Sequence, residues 1–361
     1  MKSIADYVAL EPEYYQNILN NHQTLFGNTI DLSKVKQLNA IVIFATGSSA
    51  NAAYGARPLM SKLLKVPVYI EDPSMAANYL HYGDLNTLYL AISQGGESYS
   101  TIHLVEQFVH NNQTIYTLTS NSQSPLYQVS NHVLSMGMPV EEMPYVSAGY
   151  SVTILDLILI TLTIGQKIGE INQEQFELYF NQIQKITQSL PQIIKQSQDW
   201  VNQNQDLFYH SKRVILIGYG ATYGVAREGE TKFTETVRNT AFGKELEEYM
   251  HGPYLGLHTD DCIIFIEPHG RLAQRAESLK EFLKQYVPNI STIYANTTSC
   301  FNARDLCLNI KCDELLTSLF MTIPIHLLSY QVSQLKGHNL EKSTYPEFDQ
   351  ITKSKIKRII K

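Results

Sequence analysis

The sequence predicts an α/β protein built from two tandem copies of one unit, each a parallel sheet flanked by helices in a three-layer αβα sandwich. Two observations point there. Apolar runs end abruptly in small-residue turns and give way to amphipathic stretches: Ala40 to Ala45 runs into Thr46-Gly47-Ser48-Ser49, and Leu88 to Ile92 into Ser93-Gln94-Gly95-Gly96-Glu97-Ser98. Strand, turn and helix in that order favour a parallel sheet covered on both faces. The pattern then recurs, because Val214-Ile-Leu-Ile-Gly-Tyr-Gly220 repeats Ile41-Val-Ile-Phe-Ala-Thr-Gly47, and Ile263 to Ile266 repeats Leu88 to Ile92. A chain of 361 residues is long enough for two domains with separate cores. The expected division is N-terminal helices over 1–28, a first domain over 29–170, a connecting helix over 171–206, a second domain over 207–336 and a C-terminal arm over 337–361.

In chain order, Ile4, Tyr7, Val8, Tyr14, Ile18 and Leu25 recur near helical spacing, and Pro12 splits them into an expected pair of helices. After the strand at 40–45 comes a small-residue helix over 50–64, then a strand at 66–70. Further strands are expected at 88–92, 114–118 and 133–135, followed by a long buried helix over 146–168. Residues 170–204, rich in Gln, Ile and Lys at helical spacing, suit a helix between the two units.

Composition excludes several classes of function. Apolar residues make up 44% and charged residues 17%, the mix of an ordinary globular chain. A net charge of −6 and a pI near 6.0 argue against nucleic acid, whose partners carry basic surfaces. The one basic run, Lys353 to Lys361, is a short terminal arm that either touches an anion or is a solvated helix end, and the solvated end is the preferred reading. The N-terminus lacks an apolar core of signal-peptide length, and the most apolar run, Ile154 to Ile164, is short for a membrane span and carries Asp156. A cytoplasmic protein with no membrane partner is the expectation. Cys262, Cys300, Cys307 and Cys312 show no Cys-x-x-Cys spacing, so free buried thiols are expected and no zinc.

The chemistry-bearing candidates lie in the turns. Two adjacent glycines at 95 and 96 let the backbone approach a ligand, and the following helix aims its N–H groups and positive dipole end at the turn. Ser93, Gln94 and Ser98 add uncharged donors. No lysine is present in the turn, so the nucleotide P-loop is not matched. The residues alone leave two readings open, a phosphate cradle or a plain capped connection. The second copy has Glu267-Pro-His-Gly-Arg271 at the same place, and a carboxylate with a proline opposes phosphate there, so a cradle belongs in the first half. Gly218-Tyr-Gly220-Ala-Thr-Tyr-Gly224 misses the dinucleotide fingerprint by one residue and reads as a compact turn. Lys232 and Glu235, three apart, share a helix face. They are either a surface ion pair of small value or a carboxylate base whose ionised form the ammonium favours. His251 stands directly before Gly252-Pro253, a turn where a histidine is either structural or catalytic.

Together these residues resemble the tandem sugar isomerase (SIS) domain family. The chain is similar to the isomerase half of glucosamine-6-phosphate synthase and to stand-alone amino-sugar-phosphate deaminases and fructosamine-phosphate deglycases. The resemblance covers roughly residues 30 to 340 and rests on Thr46-Gly-Ser-Ser49, Ser93-Gln-Gly-Gly-Glu-Ser98, the Lys232 to Glu235 helix and Glu247-x-x-x-His251-Gly-Pro. It implies that Ser49, Ser93, Gln94 and Ser98 hold a sugar phosphate, with Gly47, Ser48, Gly95 and Ser147 in the same contact set. It implies that Glu235 moves a proton between C1 and C2 and that Lys232 sits near O1 or the amine. It further implies that His251 assists ring opening in the site of a neighbouring subunit, hence a homodimer with composite sites. The family's C-terminal lysine has two counterparts, Lys342 in Leu-Glu-Lys-Ser and Lys353 in Ile-Thr-Lys-Ser, of which Lys353 is preferred. No metal and no cofactor are implied.

One departure matters, since Gly95 replaces a serine of the family pattern and removes a donor worth about 1.5–3 kcal/mol if charge-assisted. No cysteine lies near the start, so a glutaminase domain is not expected and ammonia would not come from glutamine within the chain. The expected reaction is aldose–ketose amine chemistry through an enediol or enaminol, releasing ammonia or an amino acid. A plain aldose–ketose isomerase and a non-catalytic phosphosugar-binding regulator stay open. A regulator of the common bacterial kind would carry a helix-turn-helix, for which the roughly 25 residues before the first strand are too few and too acidic.

Overall fold

The structure, a computed structural model, describes residues 1–32, 37–297, 300 and 302–357. Two five-stranded sheets, every pairing parallel, organise the chain. The first holds β1 (Ala40–Phe44), β2 (Val68–Glu71), β3 (Thr87–Ile92), β4 (Tyr116–Thr119) and β5 (His132–Ser135) in the order β2-β1-β3-β4-β5. The second holds β6 (Arg213–Gly218), β7 (Thr240–Glu245), β8 (Cys262–Glu267), β9 (Ile290–Tyr294) and β10 (Leu306–Cys307) in the order β10-β9-β8-β6-β7. Numbered within each half, the two orders are the same. The chain winds one way from the first strand to the second and the other way to the third. This reversal leaves a crevice beyond the C-terminal ends of β1 and β3, and another beyond β6 and β8.

Helices cover both faces. The first half contains α1 (Ile4–His22), α2 (Gly47–Leu64), α3 (Pro73–Tyr79), α4 (Tyr99–His110), α5 (Pro125–Val129) and α6 (Ala148–Ile168). The long α7 (Gln173–His210) leads to α8 (Thr222–Lys232), α9 (Leu246–Met250), α10 (Ala273–Leu283), α11 (Ile323–Leu335) and α12 (Phe348–Thr352). α6 is apolar and long enough to cross a membrane, yet its apolar window is wholly buried, because α1 and α2 pack on it. It is a core helix.

Two expectations are corrected. The N-terminal pair of helices is one helix that runs through Pro12 and ends in a π-helical turn over Gln23–Gly27. A proline inside a helix costs about 3 kcal/mol, but burial of Ile4, Tyr7, Val8, Tyr15, Ile18 and Leu19 on one face outweighs it, at about 1.5–3 kcal/mol per large side chain. The Tyr15 hydroxyl anchors that face by donating to the Leu319 carbonyl at 2.8 Å. The four cysteines are not all free thiols: Cys300 and Cys307 form a disulfide, and Cys262 and Cys312 stay reduced. The connection from β9 to β10 brings the two Cα atoms to 5.8 Å, within the normal span of the bond.

The halves meet where α2 crosses α8. A Cβ on Gly224 would lie 2.4 Å from the Gly55 nitrogen and 2.6 Å from the Asn51 carbonyl, so only a glycine permits this approach. The contact brings the start of α2 against the end of α8, and that juxtaposition builds the site.

Candidate active site

A cleft of about 620 Å³ opens at the first half's crevice. The turns after β1 and β3 line one side, and Lys232 and Glu235 from the second half line the other. The loop from Val140 to Val146 and the C-terminal arm, through Asp349, Ser354, Lys355 and Lys357, close its rim.

The turn after β3 is held open by its backbone. Ser93 N–H donates to the Leu118 carbonyl at 3.1 Å, and the Gln94 carbonyl accepts from Ser120 N–H and the Thr119 hydroxyl, each at 3.0 Å. Gly96 has φ +66, and a Cβ there would lie 2.1 Å from Ser124 Oγ. No heavy atom lies within 4 Å of a Cβ built on Gly95, so the space a serine would fill is open. Ser98 precedes α4 without capping it; its hydroxyl accepts from Thr101 Oγ1 at 3.2 Å. Ser93, Ser98, Ser48 and Ser49 are half-buried and line the cleft, whereas Gly47, at φ +56, shapes the turn from behind.

Gln94 lines the same cleft. Its side chain is buried, and its amide nitrogen faces Glu141 Oε1 at a long 3.5 Å. A Cβ on Gly149 would lie 2.4 Å from that nitrogen, so Gly149 makes room for the amide. Glu141 also accepts from Gly149 N–H at 2.6 Å and from the Ser147 hydroxyl at 2.9 Å, filling the N-terminal end of α6 with a carboxylate. Ser147 is thus fully buried and engaged by Glu141. Burial raises the Glu141 pKa, and the donors from Gly149 and Ser147 only partly oppose it.

Lys232 and Glu235 sit across the cleft. Lys232 ends α8 and is wholly buried; Glu235 lies in the π-helical turn that follows, Phe233–Val237, with its side chain 32% exposed. The two form an ion pair, and Lys232 forms a second at 3.2 Å with the buried Glu228. Glu228 in turn accepts from Ser48 Oγ and Asn51 Nδ2, both at 2.9 Å. A polar chain therefore runs from the first half through Ser48, Glu228 and Lys232 to Glu235. Burial opposes charge on Lys232, but the two glutamates outweigh it and push its pKa up, so the ammonium persists. Burial likewise disfavours the Glu228 carboxylate, yet Lys232 and His326 hold its pKa below the ordinary value. For Glu235 burial wins over Lys232 and its pKa is raised. The pair is thus no surface ion pair, and the net shift on Glu235 is opposite to the one expected from the ammonium alone.

The remaining expected residues lie elsewhere. His251 is exposed just after α9, with its Nδ1 2.6 Å from the Glu247 carbonyl, and does not line this cleft. Lys353 is exposed at φ 54, and Lys342 is exposed too; Lys355 and Lys357 are the lysines of the arm that line the cleft. Glu228 and Glu141 escaped the sequence reading, and Lys355 and Lys357 fell within the basic run for which a solvated helix end is the preferred reading over contact with an anion. Only Glu228 left a local signal, its four-residue spacing to Lys232.

At the second half's crevice the carboxylate of Glu267 is 6% exposed. It accepts from the Tyr219 hydroxyl at 2.5 Å and from His269 N–H at 2.7 Å, while Gly270 N–H donates to the Tyr219 oxygen at 3.0 Å.

A family model for the SIS domain matches residues 34–164 and 207–333. The chain is 25% identical over 317 residues to glutamine–fructose-6-phosphate aminotransferase [isomerizing] of Shewanella oneidensis, a match covering 85% of this chain and 51% of that protein. It thus spans about half the length of the relatives it matches. Among solved structures, a candidate phosphosugar isomerase of Clostridium difficile 630 superposes with a TM-score of 0.87 at 24% identity, covering 98% of each chain. Glucosamine-6-phosphate deaminase of Thermotoga maritima superposes with a TM-score of 0.71 at 17% identity, covering 95% of this chain and 96% of that one. Both superpositions, at these identities, speak to the fold alone.

Proposed function

The chain belongs to the SIS domain family, and we propose that it is a phosphosugar enzyme of the deaminase or deglycase kind, acting on a 6-phosphorylated amino sugar or fructosamine. The observation that carries this reading is the placement of Lys232 and Glu235 across one cleft from the Ser93 to Ser98 turn. A phosphate held in the turn would leave the far end of an open-chain sugar toward the carboxylate. Glu235 then takes the proton from the carbon that bears the amine, which lies next to the carbonyl, giving an enaminol, and returns it to the former carbonyl carbon. The product is an imine. Water adds to it, the C–N bond breaks, and ammonia or an amino acid leaves with the nitrogen's electron pair while the sugar keeps the oxygen. A base with a raised pKa accepts a proton more readily than an ordinary glutamate, and the persistent Lys232 ammonium stabilises negative charge developing on O1 or O2.

The exposed His251 suits a role in a second copy's site, so the proposal includes a homodimer in which the partner subunit's His251 assists ring opening. The deciding experiment is an array of 6-phosphorylated amino sugars and Amadori compounds scored for ammonia and amino acid release. Release from at least one member is expected. Interconversion of aldose and ketose without amine release would favour a plain isomerase, and binding without any turnover would favour a regulator.

A further inference from the structure

The turn that faces the cleft contains no cation, has no side chain at Gly95 and carries the Glu97 carboxylate, so the donors it can offer a phosphate dianion are neutral. The C-terminal arm changes that balance. Its backbone pairs with the turn in a short antiparallel bridge, Ser98 opposite Lys355. Tyr99 N–H donates to the Ser354 carbonyl at 3.1 Å, and Ile356 N–H donates to the Glu97 carbonyl at 2.8 Å. Extended backbone alternates its side chains. Ile356 packs against the apolar cluster between the first sheet and α4, and its neighbours Lys355 and Lys357 both line the cleft. The nearest acid to Lys355 is Asp349 at 3.9 Å, with the lysine side chain 51% exposed, a pairing loose enough to be exchanged.

We propose that Lys355 and Lys357 are the cationic half of the phosphate cradle, so that the anion site is built jointly by the Ser93 to Ser98 turn and the C-terminal arm. The proposal rests on the phosphosugar reading of this cleft and adds a specificity element to it. An anion bound in the turn touches the strand that carries the lysines, so phosphate binding and arm docking are coupled. Two ammonium groups match the dianionic form of a phosphate monoester better than a sulfate or a carboxylate of single charge.

The test is calorimetric titration of the full chain with inorganic phosphate and with glucitol 6-phosphate, at several salt concentrations. Lys355→Met with Lys357→Met is expected to weaken both probes about tenfold or more and to flatten the salt dependence of binding. The corresponding double arginine variant should keep both affinities within a few-fold. Ile356→Ser, which loosens the arm without touching a charge, should reproduce part of the loss. Unchanged affinity and salt dependence in the double methionine variant would overturn the proposal while leaving the phosphosugar reading standing. A wild-type chain that binds neither probe would overturn both.

Discussion

The two halves share one winding order but treat their crevices in opposite ways. Beyond β1 and β3 the turn leaves the Ser93 and Ser98 hydroxyls facing a cleft, with open space at Gly95. Beyond β6 and β8 the Glu267 carboxylate folds back onto the His269 N–H and the Tyr219 hydroxyl. The second half thus carries its own anion where the first half is open to one from outside. At the end of the third strand the first half has Ser93 where the second has Glu267. The second half contributes instead through the end of α8 and the π-helical turn after it, which bring Lys232 and Glu235 to the first half's cleft. On the proposed reading, holding groups come from one copy and acid–base groups from the other, and the sharpest tests separate those two labours.

The largest effect is expected from Glu235→Gln. The amide keeps the shape and removes the base, so turnover should fall by about two to four orders of magnitude while phosphate affinity holds. Solvent deuterium exchange at C1 or C2 should fall with it; exchange at the wild-type rate would assign the proton to another residue. Because the Glu235 pKa is raised, the acid limb of the rate profile should lie above the ordinary glutamate value of 4.5, with activity rising as pH increases and the carboxylate forms. Ser93→Ala should do the reverse. Loss of one charge-assisted donor costs about ten- to hundredfold in affinity for a hexitol 6-phosphate, with little change in stability. If affinity is unchanged, the holding role is not in this turn.

Much of this division was legible in the residues, for physical reasons. Runs such as Ile41 to Phe44 and Ile263 to Ile266 are buried on both faces of a parallel sheet, so they stay apolar throughout, and the glycines that end them mark the turns. Motif spacing also drew attention to Ser93, Lys232 and Glu235, all of which line one cleft. What local pattern could not carry was the effect of distant partners. Pro12 reads as a break until six buried side chains hold α1 together around it. Ser147 reads as a donor to a ligand until the buried Glu141 engages its hydroxyl, and the same carboxylate, two helices and two strands further along the chain than Gln94, faces the Gln94 amide. Lys355 and Lys357 read as a solvated tail until the bridge to Ser98 brings them to the cleft.

A smaller effect separates the copies within an assembly from those within a chain. Glu235→Gln and His251→Ala proteins, each inactive alone, are unfolded and refolded together in equal amounts. Random pairing makes about half the dimers mixed, and a shared site leaves each mixed dimer one intact site, so activity should return to about a quarter of wild type. Background activity in a preparation shown by native mass spectrometry to contain mixed dimers would place Glu235 and His251 in a site within one chain and rule the shared site out.

The smallest effect concerns the second crevice, where Glu267→Gln keeps an oxygen to accept from Tyr219 or His269 and removes the charge. Burial raises the Glu267 pKa in the folded chain, with the Tyr219 hydroxyl and the His269 N–H opposing it only in part. Below the ordinary glutamate value of 4.5 the folded and unfolded chains both hold the proton, and wild type keeps this contribution to stability in full. As pH rises past that value the unfolded chain releases its proton before the folded one does, and wild-type stability falls until the folded carboxyl has ionised as well. Glutamine has no proton to release. The stability of the variant relative to wild type should therefore increase between about pH 4 and about pH 7, as read from denaturant midpoints at unchanged slope. Ser93→Ala, measured in the same way, should show no such trend, because serine does not titrate over that range. Phosphate titration of wild type should meanwhile give one site per chain, since the second crevice is occupied by its own carboxylate. A constant stability difference between wild type and Glu267→Gln across the pH range would mean that burial does not hold the Glu267 proton, and a second phosphate site in wild type would mean that Glu267 does not stand in for an anion and that the contrast between the two crevices lies elsewhere.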